Sequence, residues 1–258
     1  MGAGEIEKRG GGGPPATEAR STRALALTGV VGGGAFVALM VAAERIYDAV
    51  TQEDGVAGLD RPVLEAAIAL RTPVSEAWVT AFTNLGRTVP MVVMGVVLTT
   101  VLFLRYRRRT IWVLMLVASA GGVLFTLVGK TLVGRNRPDP VFAVPPYEDS
   151  FSFPSGHTLN STVVAGMLAY LVVWLAARTS SRVLAVAAAT AWAVAMGLSR
   201  VFLGHHWLTD VMFAWLLGLG WLALLITVHR VVLDRRGRVR PALDAPPDAD
   251  FPSRAGLG

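Results

Sequence analysis

The sequence predicts an all-α membrane protein: a bundle of six transmembrane helices with short interfacial helices in one outer loop. Three observations predict it. The 258 residues are 53% hydrophobic and only 16% charged, with a mean hydropathy of +0.53, whereas a soluble domain carries roughly 25% charge. Six stretches approach the roughly 17–25 apolar residues needed to cross about 30 Å of hydrocarbon. The arginines, finally, gather in short clusters between those stretches, as a bilayer's positive-inside bias requires.

The six stretches run from Ala24 to Ala43, Thr88 to Leu104, Ile111 to Gly129, Thr158 to Ala177, Val183 to Leu198 and Val211 to His229. Helix is expected for each, because a lipid-exposed backbone must satisfy its own hydrogen bonds. The first lacks a small-residue cleavage site and is too long for a signal peptide core, so it is expected to be retained. The second and fifth are short. The second is expected to extend outward before "NLGRT", and the fifth through Ser199–Leu203. Two amphipathic candidates between Asp60 and Gly86, "RPVLEAAIAL" and "VSEAWVTAFTNLG", are too polar to span and are expected in the outer interface. Residues 1–23 and 234–258, rich in Gly, Pro and Ala, are expected to be disordered cytoplasmic tails around a membrane domain at 24–233.

Charge sets the expected orientation. Lys8, Arg9, Arg20 and Arg23 precede the first stretch, "RYRRR" (Arg105 to Arg109) joins the second to the third, and Arg178 and Arg182 join the fourth to the fifth. "HRVVLDRRGRVR" follows the sixth. All four clusters fall on one side if the helices alternate, so both termini are expected in the cytoplasm of a plasma-membrane protein. Glu44, Asp48, Glu53, Asp54, Glu148 and Asp149 mark the opposite loops. The net charge of +6 therefore implies a bilayer and not nucleic acid, for which no continuous basic face exists. Cysteine is absent, which excludes disulfides and thiolate chemistry.

The remaining polar residues form three groups, all at outward, solvated helix ends. In "KTLVGRNRP", Lys130 and Arg137 are seven residues, or two helical turns, apart and could share one face before Pro138 ends the helix. Snorkelling cations are the plain alternative, but cations should favour the inner side. In "SFPSGHT", Ser155 is placed to cap a helix that Gly156 and His157 begin. Such an N-terminus binds phosphate through free amides and its positive dipole end, and Gly156 lets an anion approach the backbone. In "SRVFLGHHWLTD", His206 and Asp210 are four apart, so the carboxylate can hold one imidazole nitrogen and free the other for attack. Arg200 adds a bidentate anion donor. His205 points about 100° away on an ideal helix, and His229 is expected at the cytoplasmic interface.

Together these groups resemble the phosphatidic acid phosphatase type 2 superfamily. Its pattern is Lys, six residues, Arg-Pro; then Pro-Ser-Gly-His; then Ser-Arg, five residues, His, three residues, Asp. Here Lys130 with Arg137-Pro138, Pro154-Ser155-Gly156-His157, and Ser199-Arg200 with His206 and Asp210 fill every position in order. The resemblance covers the chain from about the second to the sixth helix. It implies that His206 is the nucleophile, forming a phosphohistidine, that Asp210 orients it, and that His157 protonates the leaving oxygen. Lys130, Arg137 and Arg200, with the backbone at Ser155 and Gly156, would hold the phosphoryl oxygens. No Asp/Glu cluster is suited to a metal, so no metal or other cofactor is expected.

The function expected is an integral-membrane, metal-independent lipid phosphatase working at the outer face. Its substrate would be a membrane lipid phosphate, a polyprenyl diphosphate first, then phosphatidate or phosphatidylglycerol phosphate, with Arg135 available for a second phosphate. A lipid phosphotransferase, soluble haloperoxidase-type chemistry, and a non-enzymatic transporter or structural protein with a decayed site are the alternatives. Oligomeric state is not legible in the sequence.

Overall fold

Each long apolar stretch becomes one helix, and local chemistry decides where it stops. The computed structural model describes residues 16–243, with side chains for 25–235. Eight α-helices follow in order: α1 (Ala16–Gln52), α2 (Asp60–Ala69), α3 (Pro73–Asn84), α4 (Thr88–Tyr106), α5 (Thr110–Val133), α6 (Gly156–Leu175), α7 (Thr179–Phe202) and α8 (Leu208–Leu243). Six of them, α1 and α4 to α8, are long and apolar enough to cross a membrane.

The two amphipathic segments form separate helices, as expected. Thr72 caps α3 in a reciprocal capping box with Ser75, and Pro73 occupies its first turn, where a missing N–H costs nothing. The expected outward extension of the second span does not occur. The turn at Leu85–Arg87 separates α3 from α4, which starts at Thr88. The fifth span does extend, to Phe202. Helix α1 begins at Ala16 and α8 continues to Leu243, so both pass the boundaries expected for the tails. The remaining tail residues, 1–15 and 244–258, lie outside the described residues.

The described chain divides into two compact units, Gly32–Ile226 and the ends, 16–31 with 227–243. The second unit holds the start of α1 and the end of α8. His229 is buried there.

Within Gly32–Ile226, α6 is the central helix: 56% of its apolar window is buried, against 11% for α7. Leu159, Val163, Met167 and Leu171 recur along α6 and pack with Ile111, Met115 and Ala118 of α5 and Ala214 of α8. In lipid the gain from packing comes from close contact and not from escape from water. Small residues opposite tryptophans supply it. A Cβ on Gly121 would lie 2.5 Å from Trp221, and one on Gly197 the same distance from Trp215. The indoles of Trp221 and Trp215 donate to the carbonyls of Ala118 and Ala193 at 3.1 and 3.0 Å. This arrangement brings the ends of α5, α6, α7 and α8 together on the side away from Arg105–Arg109.

Candidate active site

Helix α5 stops at Gly134, whose left-handed conformation (φ 62°) lets its amide bond back to the Lys130 carbonyl. Glycine suits this cap because it has no Cβ. Lys130 and Arg137 therefore do not share a helix face, contrary to the expectation from their spacing. The following loop brings them together instead. Lys130 Nζ and Arg137 Nη2 each donate to Ser150 Oγ at 3.1 Å, and Lys130 also donates to the Phe151 carbonyl.

Between α7 and α8 the chain reverses at Gly204 (φ +74°), where a Cβ would lie 2.3 Å from the Phe142 carbonyl oxygen. The amides of His205 and His206 then fold back onto the Arg200 carbonyl at 3.0 and 3.2 Å. His206 precedes α8, so its contact with Asp210 crosses the helix start and is not a same-face pair within a helix. Asp210 Oδ2 accepts the Trp207 amide at 2.9 Å, one half of a capping box. His206 Nδ1 lies 3.4 Å from that oxygen and 3.3 Å from Ser152 Oγ. Ser152 donates to Asp210 Oδ2 at 2.5 Å and so bridges the pair. The other ring nitrogen, Nε2, faces Arg137 Nη1 at 3.2 Å. At 1% exposure, His206 is buried, not at the solvated helix end expected.

Ser155 occupies the N-cap place of α6, but its side chain makes no capping bond. Its hydroxyl accepts from Thr158 Oγ1 at 2.9 Å, and its amide donates to the Asp210 carbonyl at 3.3 Å. Any free amides for an anion thus belong to the residues after it. Gly156 and His157 both line the cleft described below. His157 Nε2 is buried without a protein partner.

Arg200 is 2% exposed. It donates to Thr83 Oγ1 at 3.2 Å and to the Glu148 carboxylate. Glu148 also accepts from Arg137 Nη2 at 3.0 Å. A loop acid that served only to mark topology in the sequence thus sits across two of the three motif cations. Burial opposes its ionisation, but Arg200 and Arg137 prevail and hold it down at about 2. His206 is pushed well below 6.5, first by burial and then by Arg137 and Arg200, so its imidazole is neutral at physiological pH. Burial and Arg200 likewise lower His205 to about 4. Arg135, expected to be free for a second phosphate, instead donates to Asp210 and Asp60 at 2.8 and 2.7 Å.

Sequence reasoning missed Glu148, Ser152, Thr83 and Asp60. Only Glu148 carried a signal, an acid in the one loop between two cationic motifs.

A cleft of about 500 Å³ opens between α4, α5 and α6. Lys130, Glu148, Ser150, His157 and His206 line its outer part, and Val92, Val96, Trp112, Met115 and Leu116 continue it as an apolar groove. The arrangement can hold an oxyanion beside a neutral imidazole, with an apolar chain leaving along the helices.

A family model described as the PAP2 superfamily matches residues 109–233. The chain is similar to phosphatidylglycerophosphatase B of Bacillus subtilis (strain 168), 34% identical over 175 residues that cover 67% of this chain and 85% of that protein. It is also similar to an undecaprenyl-diphosphatase of Sulfolobus acidocaldarius, 29% identical over 132 residues, 49% of this chain and 59% of that one. Among solved structures, a transmembrane PAP2-type phosphatidylglycerolphosphate phosphatase from Bacillus subtilis matches with a TM-score of 0.65 at 30% identity. That match covers 76% of this chain and 94% of the other.

Proposed function

The chain belongs to the PAP2 superfamily, and from that premise we propose that it is a metal-independent lipid phosphatase acting through His206. The observation that carries this reading is a cleft in which His206, His157 and Lys130 meet at the head of an apolar groove. A lipid phosphate would sit there with its phosphoryl group beside Lys130 and next to Arg137, which lies 3.2 Å from His206 Nε2, with Arg200 joined to Arg137 through Glu148 and the tail against α4 and α5.

The reaction then runs in two displacements. His206 Nε2, its proton held on Nδ1 by Asp210 and Ser152, attacks phosphorus as the bond to the lipid oxygen breaks. His157 gives that oxygen its proton. Water entering the vacated place then loses a proton to His157 and attacks phosphorus, the P–N bond breaks, and inorganic phosphate leaves. Positioning and charge stabilisation dominate such transfers, and the three cations supply both. Glu148 is displaced from Arg137 and Arg200 when the phosphoryl group binds.

With Arg135 occupied by Asp60 and Asp210, the motif cations left for the phosphoryl group are Lys130, Arg137 and Arg200. This favours a phosphomonoester, and the relatives named for phosphatidylglycerol phosphate point the same way. A polyprenyl diphosphate is the second reading, supported by the similarity to an undecaprenyl-diphosphatase. The site works on outer-leaflet lipid, with both termini cytoplasmic, a reading that the arginine clusters on the opposite side support.

Phosphate release by the purified protein, from phosphatidylglycerol phosphate, phosphatidate and undecaprenyl diphosphate in excess EDTA, tests the reading. Release from the first should exceed that from the diphosphate, need no acceptor alcohol, and vanish in His206→Ala. Turnover that stops in EDTA and returns with magnesium, or persists in His206→Ala, would sink it.

A further inference from the structure

The geometry points to Asp60 and Arg135 as a positioning pair: through Arg135, the start of α2 sets the orientation and charge of Asp210, and so of His206. The inference rests on His206 being the nucleophile, as proposed above.

Asp60 opens α2 and is 4% exposed, and a buried carboxylate persists only where it is paired and hydrogen-bonded. Its Oδ1 accepts the Thr209 amide at 2.8 Å, so it caps α8 from 149 residues away. Its Oδ2 accepts from Thr209 Oγ1 at 2.6 Å and from Arg135 Nη2 at 2.7 Å. Arg135 Nη1 donates to Asp210 Oδ1 at 2.8 Å and to Thr209 Oγ1 at the same distance. The guanidinium also lies 5.5 Å from the centre of the Trp207 ring. A planar fork held by two carboxylates and a hydroxyl fixes its partners' geometry in a way a point charge cannot.

Asp210 divides its two oxygens between two tasks. Oδ2 faces His206 Nδ1 and Ser152, while Oδ1 is held by Arg135. Rotation of the carboxylate would break both sets at once. Arg135 turns its terminal nitrogens onto Asp60, Asp210 and Thr209, so both residues act on the reaction through Asp210 and not through the substrate.

The other charges acting on His206 are the cations Arg137, Arg200 and Lys130 and the carboxylate Glu148. The imidazoles of His157 and His205 complete the surroundings. Neutralising Arg135 leaves Asp60 and Asp210 uncompensated and raises the proton affinity of the His206–Asp210 pair. Neutralising Asp60 leaves Arg135 undiluted and lowers it. The two changes therefore displace the acid limb of kcat/KM in opposite directions.

The test uses purified full-length protein and phosphatidate as the probe substrate. In Arg135→Gln, kcat should fall about 100-fold, as for a small misplacement of a reacting group, with KM unchanged. Its acid limb should move up by about one pH unit, while that of Asp60→Asn moves down and that of the double variant returns toward wild type. Arg135→Lys keeps the charge, so its kcat should fall with the limb in place; this arm decides the matter should Arg135→Gln not fold. A rise in KM at constant kcat would overturn the inference by making Arg135 a substrate contact. Loss of activity with unmoved limbs in both single variants would overturn it by making the pair merely structural. His206→Ala, run in parallel, separates the two levels. Turnover there sinks the nucleophile assignment itself, whereas a dead His206→Ala beside wild-type-like Asp60 and Arg135 variants sinks only the positioning pair.

Discussion

Replacing Glu148 by Gln removes a negative charge from between two arginines while preserving shape. In the folded site that carboxylate is held at about 2, against an ordinary 4.5. At about 1.4 kcal/mol for each tenfold change, its charge is coupled to the folded site by about 3 kcal/mol. Little of this is lost to solvent, because the Glu148 side chain is 26% exposed and that of Arg200 only 2%. The value agrees with the roughly 3–5 kcal/mol expected when one partner of a buried pair is removed. Glu148→Gln should therefore lower the melting temperature at neutral pH. The difference belongs to pH values above 4.5 and should fade as pH falls through about 2, the window of the depressed carboxylate. An oxyanion on the same arginines no longer has to displace a carboxylate, so vanadate should inhibit the variant at about tenfold lower concentration. Tenfold is less than the full coupling, because the glutamine amide keeps part of the hydrogen bonding. Saturating vanadate should also close most of the gap in melting temperature. Thermal unfolding and vanadate inhibition of the purified proteins measure both effects. Weaker vanadate inhibition, or an unchanged melting temperature, would refute the view that Glu148 occupies the phosphoryl place.

Three further outcomes are expected. Because burial and the neighbouring arginines push His206 well below 6.5, the acid limb of kcat/KM should lie below pH 6.5; a limb above that value contradicts a neutral nucleophile. Gly204→Ala must adopt φ +74° with its Cβ 2.3 Å from the Phe142 carbonyl oxygen, costing at least about 1–2 kcal/mol for the left-handed backbone alone. It should unfold at lower temperature and lose activity, and wild-type behaviour in both would show that the turn is not as described. A cysteine at Tyr147, 59% exposed in the loop before Pro-Ser-Gly-His, should react with an impermeant maleimide on intact cells, whereas one at Tyr106 should react only after permeabilisation. The reverse pattern would place the site in the cytoplasm.

By itself the sequence determined the features that depend on short stretches of chain. Six spans are legible because hydrocarbon thickness sets their length, and α2 and α3 because amphipathic segments with turn residues mark their own ends. Lys130, Arg137, His157, Arg200, His206 and Asp210 are legible as candidates because polar groups at spanning-helix ends need a reason to be there. Tertiary structure alone decided what those groups touch. The spacing of Lys130 and Arg137 suggested one helix face, but Gly134 ends α5 between them and a loop hydroxyl at Ser150 joins them instead. His206 meets Asp210 across the start of α8, with Ser152 from a distant loop between them. Glu148 covers Arg200 from 52 residues away, and Asp60 reaches Arg135 across 75. The physical reason is the same in each case. Helix formation and membrane insertion depend on neighbours along the chain, whereas a buried charge takes whichever opposite charge the packed helices bring within about 3 Å.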